Sequence, residues 1–161
     1  MKYIAMKIAS GKRGGFKAIY YVDGIPKITR IENKAEINIV SDYRDSENRY
    51  EIVLEGFIRP PFAGNYVFIV DAKGDVVLLL EGKQIQLNKQ KHLLVSHPIF
   101  LTDTGLYRLK LRYLSKGPIL KLKLSWLRDD GVLETLNSNY SSIPSSSSII
   151  FRGVKDNCMV I

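Results

Sequence analysis

The sequence predicts an all-β fold, an antiparallel β-sandwich or barrel of about ten short strands. Three observations carry this. Apolar and aromatic residues alternate with polar ones along most of the chain, clusters of Gly, Pro, Asn and Asp separate the alternating runs, and no stretch reads as a helix of useful length. Many short strands with frequent turn signals make a sandwich or a barrel.

In chain order the alternation places strands at 4–9, 17–22, 35–40, 49–58, 64–71, 76–81, 83–87, 92–95, 105–114, 119–127 and 148–151. Residues 11–15, Gly11-Lys12-Arg13-Gly14-Gly15, read as a basic connector. Glu81-Gly82-Lys83 has the form of a tight hairpin turn, and the apolar run before it, 76–80, predicts a strand covered on both faces. The clearest pair is Tyr107 to Tyr113, then Ser115-Lys116-Gly117-Pro118, then Leu120 to Trp126, expected as a hairpin. Strand side chains alternate with period 2, so Tyr107, Leu109, Leu111 and Tyr113 share one face, as do Leu120, Leu122, Leu124 and Trp126. Those faces are expected to build the core, with Trp126 among its largest members. The opposite face carries Arg108, Lys110, Arg112, Lys121 and Lys123, read as a solvated outer face or as a basic patch for an anionic partner. No aromatic residue interleaves with these cations, which argues against a stacking platform for single-stranded nucleic acid.

With 161 residues the chain fits one domain, and a domain of this size buries roughly 70% of the surface its unfolded chain exposes. A hydrophobic fraction of 45% and a charged fraction of 25% are ordinary for a globular protein. The formal charge of +8 favours anionic partners without naming one. Cys158 is the sole cysteine, which excludes an intrachain disulfide and a multi-cysteine metal cluster. Lys7 interrupts the apolar residues of the first ten, so a cleaved signal peptide is not expected and synthesis in the cytoplasm is. No run approaches the ~20 apolar residues of a bilayer-spanning helix.

Catalytic signatures are missing. His92 and His97 lie in no metal-ligand spacing, and there is no nucleophile elbow, phosphate-binding loop or dinucleotide fingerprint. A non-enzymatic role follows as the expectation. Cys158-Met159-Val160-Ile161 has the form of a prenylation signal, but its last residue is atypical and no polybasic run precedes it. Asn139-Tyr140-Ser141 is a glycosylation sequon, meaningful only in a secreted protein.

The order of motifs resembles a known family, the carbohydrate-binding module first described in anthrax protective antigen and shared with yeast flocculins, adhesins and some glycosidases. Gly15-Phe16-Lys17-Ala18-Ile19-Tyr20-Tyr21 and the 26–30 stretch are similar to its opening. Glu55-Gly56-Phe57-Ile58-Arg59-Pro60-Pro61-Phe62-Ala63-Gly64-Asn65-Tyr66-Val67-Phe68 looks like its central segment. The 76–83 strand and turn, Thr104-Gly105-Leu106-Tyr107, Leu122-Lys123-Leu124-Ser125-Trp126 and Ile143-Pro144-Ser145-Ser146 resemble the later ones. The resemblance implies a sandwich over 15–151, with an N-terminal strand and connector at 1–14 and a tail at 152–161. It also implies order in the Ser-rich segment 138–148, which composition alone reads as a linker.

Lectins of that family hold Ca²⁺ with two adjacent aspartates before the Gly-containing turn, and the resemblance puts Lys73 and Gly74 at those positions. An ammonium in place of a carboxylate repels a cation. Asp71 and Asp75 flank the gap, where a register shift would give a weaker site, so Asp71, Lys73, Gly74 and Asp75 form the candidate remnant of a sugar and calcium site. Asp129-Asp130-Gly131 reads instead as a turn. The expectation is a structural or interaction module without cofactor, whose termini and basic face contact protein neighbours in an assembly; a virion or other large surface assembly would fit. The alternative is a carbohydrate-binding lectin or adhesin, with a nucleic-acid binder third.

Overall fold

The computed structural model describes residues 14–40 and 49–144. Its strands are β1 (Phe16–Val22), β2 (Ile25–Glu32), β3 (Glu36–Val40), β4 (Tyr50–Ile58), β5 (Gly64–Ala72), β6 (Gly74–Leu80) and β7 (Lys83–Ile85). They continue with β8 (Leu87–Gln90), β9 (Leu93–Ser96), β10 (Ile99–Leu101), β11 (Tyr107–Ser115), β12 (Ile119–Arg128), β13 (Leu133–Thr135) and β14 (Ser141–Ser142). Among the described residues there is no helix.

Two antiparallel sheets pack face to face. The first runs β2-β1-β4-β11-β6-β7, with β14 pairing β4 beyond the end of β1. The second runs β13-β12-β5-β9-β8, with β3 also pairing β12 and β10 also pairing β5. Alternation decides the core. Ile52 and Leu54 of β4, Leu109, Leu111 and Tyr113 of β11 and Leu78 of β6 point inward from the first sheet. From the second they meet Tyr66, Phe68 and Val70 of β5 and Leu120, Leu122, Leu124 and Trp126 of β12. The fully buried Trp126 ring lies 4.7 Å from Tyr66 and 6.4 Å from Phe68, and its Nε1 donates to Glu134 at 2.9 Å.

The all-β sandwich expected from the sequence is what the chain adopts. Two local expectations are corrected. β11 and β12 do not form a hairpin: β11 pairs β4 and β6, β12 pairs β5, β3 and β13, and the connection between them crosses from one sheet to the other. Both strands do turn their apolar faces inward, because facing sheets demand the same alternation as neighbouring strands. The 76–80 strand is covered on one face, for Val77 on its outer side is 37% exposed. The expectation also lacked β2, β10, β13 and β14, and all of β8 but Leu87, which it joined to β7 as one strand. β2 escapes an alternation reading because a register shift opposite Tyr20/Tyr21 resets its phase, putting Ile25 and Ile28 on one face, and because Ile31 stands exposed on the other face opposite Lys17. The expected strands at 4–9 and 148–151, and Cys158, lie outside the described residues.

Candidate functional site

The flagged segment 71–75 is the crossover from β5 in the second sheet to β6 in the first. One tyrosine fixes it. The Tyr113 hydroxyl donates to the Lys73 carbonyl at 2.6 Å and accepts the Lys121 amide at 3.2 Å, while the Lys73 amide donates to the Lys121 carbonyl at 2.9 Å. Burial pushes the Tyr113 hydroxyl pKa up, keeping its donor proton in place. Gly74 is required by space and conformation: its φ is 154°, and a Cβ there would lie 2.3 Å from the Leu114 carbonyl oxygen.

The crossover separates the two aspartates. Asp71 points from the outer face of the second sheet and pairs with Lys121 at 3.8 Å, whereas Asp75 sits in the first sheet and pairs with Lys116 at 3.6 Å. Among the described residues no group of three or more His, Cys, Asp or Glu could hold a metal ion.

The five cations read as one face are divided between two. Arg108, Lys110 and Arg112 stand on the outer side of the first sheet, Lys121 and Lys123 on the outer side of the second. Acidic neighbours accompany most of them. Lys110 pairs with Glu55 at 3.6 Å, and Arg112 donates from Nε and Nη2 to Glu51 Oε2 at 3.1 and 2.8 Å. Lys123 lies in register with Glu36 on one side and Asp71 on the other. These pairs offset the cross-strand repulsion that an all-cationic hairpin would suffer.

Asp129-Asp130-Gly131 is a turn, with Gly131 at φ 85°. Asp129 accepts the Asn65 amide at 2.7 Å, tying this turn to the start of β5. Asp130 takes two hydrogen bonds from Arg128, which holds its carboxyl below the usual range. Arg128 also donates to Glu134 and lies 5.4 Å over the Phe62 ring. Arg128, Asp129, Asp130 and Glu134 are all engaged with one another or with the backbone, so this corner holds the 60–65 loop in place rather than presenting a site. His92 and His97 are exposed.

A cleft that sequence reasoning missed opens where β7 leaves β6 and continues, through Gln86, into the second sheet as β8. It is a shallow, solvent-open depression of about 440 Å³, with Val76, Ile85, Leu87 and Leu94 packed against the core beneath it and the exposed Gln84 and Gln86 among its lining. Val76 follows Asp75 directly, so the cleft adjoins the crossover. The 83–92 run beside it is legible as a segment in which Lys and amide residues alternate with Ile85 and Leu87 and no carboxylate occurs. The cleft itself has no signature, because it depends on one strand changing sheets.

These features define a two-sheet β-sandwich with its open edge bridged by a single strand that serves both sheets. The family model of the PA14 domain matches residues 11–139, and the chain belongs to that family. Among solved structures, an anti-sigma factor domain-containing protein superposes with a TM-score of 0.70 at 23% identity, over 82% of this chain and 48% of that one. The chain thus spans about half of that protein's length. The PA14 sugar-binding domain from an RTX adhesin gives 0.63 at 16% identity, over 82% of this chain and 99% of its own. The Epithelial Adhesin 6 A domain from Candida glabrata, solved in complex with Galβ1-3GlcNAc, gives 0.63 at 11%, over 88% and 94%. A search of curated proteins finds no match.

Proposed function

We propose that this chain is a non-catalytic carbohydrate-binding module that holds sugar without a calcium clamp at 71–75. The observation that carries the reading is the match to nearly the whole of the RTX adhesin's sugar-binding domain, since a complete sugar-binding module there has this fold and little else. The crossover argues for calcium independence: Asp71 and Asp75 stand on different sheets, each beside its own lysine, and the residues between them include Lys73 and Gly74. The cleft next to it has the composition of a sugar site, with amides able to donate and accept beside an apolar floor. A glycan array read with and without EDTA tests this. Binding that persists in EDTA and in Asp75→Ala is expected. Calcium-dependent binding lost in Asp75→Ala would overturn the calcium-free mode, and binding to no glycan would overturn the carbohydrate reading.

A second reading, an interaction module contacting protein neighbours in a virion or other surface assembly, draws on a different observation. Phe100 and Leu133 are 64% and 61% exposed, and the same fold makes up about half of a longer chain in the anti-sigma factor domain-containing protein. A stoichiometric particle in light scattering of material from the native source would favour it.

A further inference from the structure

From Gly82 to Thr102 the sequence contains no Asp or Glu, yet it carries Lys83, Lys89, Lys91, His92 and His97. Within this run β7 closes the first sheet and β8 the second, which makes the edge of the sandwich on which the cleft opens and carries Lys83 and Lys89. Elsewhere Lys110, Arg112, Lys116, Lys121 and Arg128 each have a carboxylate partner, while lysines with no ion pair among the described residues, such as Lys27 and Lys34, stand in stretches that do contain carboxylates. Lys83, Lys89 and Lys91 are exposed and have no ion-pair partner among the described residues. The carboxylates beside this edge are engaged: Asp75 by Lys116, and Glu81 by the Arg108 backbone amide.

The register gives the edge its geometry. Lys83 lies opposite Leu80, a core residue, and Lys89 lies opposite Leu94, a residue of the cleft floor. Residues opposite one another share a face, so Lys83 and Lys89 lie on the inward side of their strands, one in each sheet, whereas Gln84, opposite Leu79, lies on the outer side of β7, and Lys91 follows the end of β8. Lys83 and Lys89 stand six positions apart, at most ~20 Å of extended chain, with Gln84 and Gln86 between them in sequence. Along 83–91 there is no aromatic residue, and from there no Phe, Tyr or Trp occurs before Phe100. Beside Lys83 and Lys89 bases would find no aromatic ring to stack on, whereas sugar hydroxyls find amides and acidic groups find lysines.

We infer that the edge formed by β7 and β8 docks a linear polysaccharide bearing carboxylate or sulfate groups that runs along the edge itself, its charges reached by Lys83, Lys89 and Lys91 from one side and its hydroxyls by the cleft-lining Gln84 and Gln86. This rests on the carbohydrate reading above and adds the class of sugar and its place.

The test is retention of the full chain on an immobilised sulfated glycan, a polyuronate, a neutral glucan and a mixed-sequence oligonucleotide, followed by salt titration. Retention on either or both acidic polysaccharides, falling with added salt, is expected, and the two columns tell sulfate from carboxylate. The triple variant Lys83→Ser, Lys89→Ser, Lys91→Ser should weaken that retention by about tenfold with an unchanged melting temperature. A charge-matched control, Lys27→Ser, Lys34→Ser, Lys123→Ser, should weaken it far less. Equal losses in both variants would remove the site, and equal or stronger binding to the oligonucleotide would remove the polysaccharide. Binding of the neutral glucan alone, untouched by the lysine changes, overturns this inference and leaves the carbohydrate reading standing. Binding to no polysaccharide overturns both.

Discussion

Trp126 joins three kinds of interaction in one side chain. Its ring is fully buried, it contacts Tyr66, Phe68 and Tyr140, and its Nε1 donates to Glu134 on the neighbouring strand. Replacement by Ala removes the largest buried side chain and leaves a cavity between the sheets that close-packed neighbours cannot refill. Trp126→Ala should lower unfolding stability by about 3–5 kcal/mol, read from denaturant midpoints at constant m. A loss below ~1 kcal/mol would mean that the second sheet collapses onto the gap. The position of Trp126 was legible in the sequence, because it ends an unbroken period-2 series with Leu120, Leu122 and Leu124. The role of Tyr113 was legible only in half: its burial followed from alternation, but its hydroxyl's hold on the crossover depends on residues 8 and 40 positions away.

Alternation tells a strand which side is in, but not which sheet it belongs to. β11 and β12 each read correctly, and their assumed pairing failed because a three-residue connection can turn a hairpin or step between sheets with the same residues. The single basic face fell with that pairing, since its members lie on opposite outer surfaces. β2 was obscured for another reason: it is an edge strand, and little of it is buried. Its exposed Ile25, Ile28 and Ile31 would invite pairing with another chain. Pro26 supplies no N–H, Lys27 and Arg30 place charge along the strand, and the register shift twists it. The combined variant Pro26→Val, Lys27→Val, Arg30→Thr should therefore raise the apparent mass in size-exclusion chromatography with light scattering. Elution identical to the parent would mean that the irregular register protects this edge by itself.

Across the whole molecule, the sandwich was legible because every core strand repeats one pattern, while the cleft was not, because it forms where β7 and β8 exchange sheets around Gln86. The same long-range construction makes stability depend on pH. Three buried tyrosines use their protons as donors: Tyr20 to Glu32 Oε2 at 3.0 Å, Tyr66 to the Phe62 carbonyl at 2.6 Å and Tyr113 to the Lys73 carbonyl. Desolvation is the main cause that raises all three pKa values, and the Glu32 carboxylate adds to it at Tyr20. An unfolded tyrosine ionises near pH 10, so above that pH the unfolded chain releases protons that the folded chain retains. The stabilisation is complete below pH 10 and declines as the pH climbs toward the raised folded values. Melting temperatures measured from pH 8 to 12 should hold level and then fall above about 10. Lysines also lose charge in this range, so the parent is compared with Tyr20→Phe, which retains every lysine and removes one of the three linked protons. The variant should be less stable at pH 8, through loss of the Glu32 bond, and should decline less steeply above 10; parallel curves would exclude Tyr20 from the linkage.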